Sequence, residues 1–126
     1  TAELWNNLPE QDAFLESMAA SAQSVADYFG DNILYINVMN NLSIDCDCDS
    51  NPHDPEMKDI GILASTDPVA LDQACLDLVY AVKPTEGNDN RPLVNRIESL
   101  HGRHTVDYAE TIGLGSKNYE LVVLDT

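Results

Sequence analysis

The sequence predicts an α/β domain, a small mixed or parallel sheet packed with three to four helices. Three observations carry this. Stretches with apolar residues at three- and four-residue steps follow recognisable helix starts. Three short runs, at about 33–39, 60–65 and 119–125, are rich in β-branched and aromatic residues. One run, "IGILASTDPVALDQACLDLV", passes directly from strand to helix. A length of 126 residues suits a single domain over 1–126, and a hydrophobic content of 44% suits a folded one.

Taken in order, residues 9 to about 29 read as an amphipathic helix. Phe14, Met18, Ala22, Val25 and Phe29 form its stripe, and Gly30 is its stop. "ILYINVM" (33–39) and "IGILAS" (60–65) read as strands. Asp67 is a strong N-cap and Pro68 suits the first helical position. Leu71, Ala74, Cys75, Leu78, Val79 and Val82 then make one apolar stripe, with Cys75 as a buried core thiol. The polar "KPTEGNDNR" is a loop, a helix runs from Pro92 to about His101 before Gly102, and a shorter one spans Val106 to Gly113. His101 suits a helix C-terminus, "GLGS" at 113–116 reads as a C-cap and turn, and "YELVVLD" closes the chain as a strand.

Charge excludes some functions. With 22 acids against 6 bases the formal net charge is -16, which repels nucleic acid and anionic membrane surfaces. No apolar run spans a bilayer, and the N-terminus lacks the pattern of a secretory signal. Three cysteines, two of them one residue apart, do not form an even disulfide framework, so a reducing cytoplasm is expected.

The segment with most chemistry is "DCDCDSNPHDPE", 45–56. Asp45, Asp47, Asp49 and Glu56 fall at oxygen-ligand positions of a calcium loop. Ser50 stands where that loop needs glycine, and Pro52 where it needs extended pairing. Weak cation binding by these carboxylates stays open. Cys46 and Cys48 can project from one side of an extended segment towards one soft metal. Zinc would require two more ligands, from His53, Asp54 or elsewhere. The competing reading is an Asx-rich turn in which the cysteines are only small residues. A further expectation is conditional. If the strands 33–39 and 60–64 run parallel, the cysteines share a sheet edge with Asp67. The long connection permits a crossover and favours that arrangement; an antiparallel hairpin would separate them. Asp72, one turn after the cap, is the other carboxylate that could face the loop.

"YINVMNNLSIDCDCD", "DIGILASTDPVALDQACLDLV" and "YAETIGLGSKNYELVVLD" together resemble the C-terminal part of a bacterial family. Its members are iron–sulfur centre proteins of unestablished role with a domain of unknown function, number 362. The resemblance covers nearly the whole chain from about Trp5. It implies a C-terminal fragment whose parent carries a ferredoxin-like part ahead of it, absent from this sequence. It also implies metal or redox chemistry at Cys46, Cys48, Asp67 and Asp72. The expectations that follow are a metal- or iron–sulfur-associated redox domain with zinc or iron at Cys46/Cys48, and a cluster only in the parent. The partners expected are the missing N-terminal part and a redox partner. The alternatives are a non-catalytic cation- or ligand-binding domain and a structural lobe packed on that missing part.

Overall fold

Asp67 and Pro68 begin the central helix, and the rest of the fold is arranged around it. The structure, a computed structural model, describes residues 8–46 and 48–124, with Leu8 and Pro9 by their backbone alone. In chain order the elements are α1 (Leu8–Phe29), β1 (Tyr35–Met39), β2 (Gly61–Ser65), α2 (Pro68–Ala81), α3 (Arg91–Ser99) and α4 (Arg103–Thr111). The α/β class expected from sequence is thus observed, as a small sheet packed against helices.

The Asp67 carboxylate caps α2 by accepting from the N–H groups of Val69 and Ala70. The helix ends at Val82, whose extended backbone precedes Lys83–Pro84. Two small cores flank α2. Ala19, Val69, Val106 and Ala109 pack between α1, α2 and α4. Met39, Met57 and Val79, with Ile60, Leu63, Cys75 and Ile97 around them, fill the space between the sheet, α2 and α3. Buried Asn90 donates to the Val79 carbonyl at 2.8 Å, tying the start of α3 to α2.

The strands run antiparallel, with Tyr35 opposite Ser65 and Met39 opposite Gly61, which corrects the parallel arrangement favoured from sequence. The cause is local. The Ile60 N–H donates to the Met39 carbonyl and the Asn41 N–H to Asp59, while Asn41 takes a left-handed φ of 53°. These bonds turn the long connection straight back on its own strand, so no crossover forms.

Three other expectations differ from what is observed. The buried side of α1 is Gln11, Leu15 and Ala19, while Met18, Val25 and Phe29 of the expected stripe stay about half exposed. Tyr119–Leu124 form no strand, and Leu124 is 82% exposed; Asp125 lies outside the described residues. At the end of α3, the left-handed residue is His101 (φ 53°), one position before the expected Gly102. The Gly102 N–H then donates to the Ile97 carbonyl at 2.8 Å.

Candidate functional site

The acidic loop is built on Asp45. Its carboxylate bonds the His53 ring at Nδ1 and accepts from the His53 backbone N–H at 2.9 Å. Arg96, on α3, reaches the same carboxylate at 3.5 Å and donates to the Ile44 carbonyl at 3.1 Å. Ser43 Oγ donates to the His53 carbonyl at 2.8 Å, closing the neck of the loop a second time. Asp45 is therefore sheltered, with a side chain 13% exposed, whereas that of His53 is 72% exposed. The hydrogen bond to His53 is the main cause holding Asp45 below its ordinary carboxylate range, and the same bond raises the His53 imidazole.

Beyond this neck both thiols stand in solvent. Cys46 and Cys48 are free and exposed. The Asp49 N–H donates to the Cys46 carbonyl at 2.9 Å, and the Cys48 N–H donates to Cys46 Sγ at 3.2 Å. Cys48 and Asp49 are thus held back against Cys46. Interaction with the Cys46 sulfur, first among the causes, pushes the Cys48 thiol up, so it holds its proton more firmly than an isolated cysteine. Asp49 spends one carboxylate oxygen on the Asn51 N–H in an Asx turn. Asp47, the middle residue of the pair's spacing, lies outside the described residues.

The expected site residues do not all meet. His53 belongs to the thiol loop, and Asp54 is exposed beside it, lining a crevice of only about 10 Å³ with Ile44 and Met57. Asp67 follows the Ser65 end of β2, while the cysteines follow the Met39 end of β1. Four residue steps of antiparallel strand separate those ends by roughly 14 Å. Both oxygens of Asp67 are also engaged, one by the helix cap and the other by the Ser116 N–H at 2.9 Å. Asp72 is exposed and accepts from Asn37 on β1 at 2.9 Å. Among the described residues, no group of three or more His, Cys, Asp or Glu side chains is already placed to hold a metal ion. Sequence reasoning did not single out Arg96 or Ser43 as builders of the loop, nor Ser116 as a partner of Asp67. Only Gly115, within "GLGS", carried a signal, since a glycine allows close approach of another group.

Comparison with known families bears on this geometry. A family described as a domain of unknown function, DUF362, matches residues 2–77. The chain belongs to this family. The matched region holds α1, both strands, the thiol loop and most of α2, so the DUF362 region includes every expected site residue. Comparisons with curated proteins and with solved structures gave no match. Among the described residues no helix is long and apolar enough to cross a membrane.

Proposed function

We propose that this DUF362 chain presents a dithiol site, Cys46 and Cys48 with His53 as a further donor, for zinc or iron in a redox or metal-handling protein. The observation that carries this is the combination of two free, exposed thiols on a turn and a loop neck fixed by Asp45. Binding His53 through Nδ1 leaves its Nε2 as the available donor, and a carboxylate behind the imidazole is the usual support of a metal-bound histidine. Asp45 is thus an orienting group here rather than a ligand. Asp54, next to His53 in sequence, could complete a four-ligand set, or a docked partner could supply that fourth position. A purely carboxylate cation site is less well supported, because Asp45 and Asp49 are occupied inside the loop.

Exposure of the thiols suits exchange with a redox or metal-donor partner, and a reducing cytoplasm would keep them as thiols. A second reading is favoured by the outer face of the sheet, where Ile36, Val38 and Ile62 are 57%, 59% and 69% exposed. Such a face suits a structural lobe that packs on an N-terminal, ferredoxin-like part of the parent, which would hold any iron–sulfur cluster.

Elemental analysis of protein purified without oxygen or chelator tests the first reading. Stoichiometric zinc or iron that disappears in Cys46→Ser/Cys48→Ser supports it. Metal retained in that variant contradicts it, as does a metal-free protein that takes up neither ion on reconstitution.

A further inference from the structure

The two thiols of the acidic loop are also placed to react with one another. Cys46 and Cys48 are free and exposed, so both are open to a reagent from solvent. Two residues apart, their Cα atoms lie at most about 7 Å from each other, and a disulfide needs roughly 4.4–6.8 Å. The Cys48 N–H donates to Cys46 Sγ at 3.2 Å, which draws Cys48 in towards that sulfur. The Asp49 N–H, on the Cys46 carbonyl at 2.9 Å, holds the same fold of the backbone. Cys75, by contrast, is half-buried on α2, packs in the core beside Met39 and Val79, and accepts from Asn37 at 3.4 Å.

The two sulfurs are not equivalent. Cys46 Sγ accepts a backbone N–H, and such a donor stabilises negative charge on the sulfur that receives it. Cys46 is therefore the sulfur that attacks first. It gives its proton to water and attacks a disulfide R–S–S–R. The bond Cys46–S–S–R forms, the R–S–S–R bond breaks, and the released thiolate takes up a proton. Cys48 then gives up its proton, attacks Cys46 Sγ and displaces the second RS⁻, which is protonated in turn. The dithiol has lost two electrons, and the substrate disulfide has gained them as two thiols. A ring closed between such near neighbours and standing in solvent is of the labile kind that a thiol reopens. Charge selects the substrate. "DCDCD" puts a carboxylate on each side of Cys48 in a chain of net charge -16, which favours a cationic disulfide over an anionic one.

We propose that Cys46 and Cys48 form a thiol–disulfide exchange site for cationic disulfides, with Cys46 attacking and Cys48 resolving. This activity rests on the same exposed dithiol as the metal site but needs no metal. In the test, the reduced full chain is freed of metal with chelator and kept from oxygen. It is mixed with the dication cystamine or with glutathione disulfide, quenched, and read by mass spectrometry with peptide mapping. Cystamine should convert the wild type to a Cys46–Cys48 disulfide that excess monothiol reopens. It should do so about tenfold or more faster than glutathione disulfide. Cys48→Ser should stop at a mixed disulfide on Cys46, and Cys46→Ser should form its adduct about tenfold or more slowly. Lasting adducts on both thiols of the wild type would overturn the proposal. So would equal rates for the two single variants, or a rate with glutathione disulfide equal to or above that with cystamine. Iodoacetamide labelling of the reduced chain separates the two uses of the dithiol. Both thiols labelled without an internal disulfide under cystamine would overturn the exchange alone; neither thiol labelled would overturn the metal site as well.

Discussion

A methyl group at Gly115 would stand 1.9 Å from Asp67 Oδ1, the oxygen that caps α2. Gly115→Ala must therefore push away either the cap or the loop that Asp67 holds through Ser116. Asp67→Ala should cost about 1–2 kcal/mol in urea unfolding, the usual value of a lost N-cap. After Asp67→Ala the clash is gone, so Gly115→Ala added to it should cost clearly less than it does alone. Additive effects would show that the two residues do not meet. The Asp45–His53 pair makes a second prediction. Its His53 share of loop stability is present below the ordinary histidine value of 6.5 and is lost as pH rises through the raised folded value. The Asp45 share is present above the ordinary 3.8 and is lost as pH falls through its lowered value. The neck is thus firmest between those ordinary values, in mildly acidic solution. In NMR titration of the imidazole protons, Asp45→Asn should lower the His53 midpoint; an unchanged midpoint would remove Asp45 as the cause.

At the scale of elements, the start of α2 was legible because Asp67–Pro68 is a local signal that needs nothing distant. The strands at 35–39 and 61–65 were legible for the same reason, but their relative direction was not. That direction is set by single bonds in the connection, Asn41 to Asp59 and Ile60 to Met39, which loop length does not encode. Helix α1 was also legible, yet not the face it buries. Two stripes compete along it, and the small Ala19 wins because it fits against Val106 and Ala109. Ala19→Leu should consequently overfill that contact and cost about 1–3 kcal/mol. Met18→Ala, one residue earlier on the exposed side, should change stability by no more than about 0.5 kcal/mol. Thermal unfolding of both variants checks the pair, and a reversed order would place the stripe against the core.

For the molecule as a whole, the acidic loop was legible as the place with most chemistry, and its cysteines are exposed as a site would require. The grouping of Asp67 with them at one sheet edge was expected only of a parallel sheet, and the antiparallel hairpin sends the helix cap to the other end, while Asp72 accepts from Asn37 on β1. The closing segment, Tyr119–Leu124, has strand composition without a strand partner among the described residues, since composition states a preference and pairing needs a neighbour. What remains decisive is whether the two thiols act together on a metal. Cobalt(II) titration without oxygen, followed by absorbance, reads this directly because thiolate ligation produces a charge-transfer band. One equivalent should generate that band, zinc should displace it, and it should weaken as pH falls and the raised Cys48 thiol regains its proton. The band should be absent from Cys46→Ser/Cys48→Ser. A folded wild-type chain with no such band, or a band that survives in the double variant, would contradict the thiolate site.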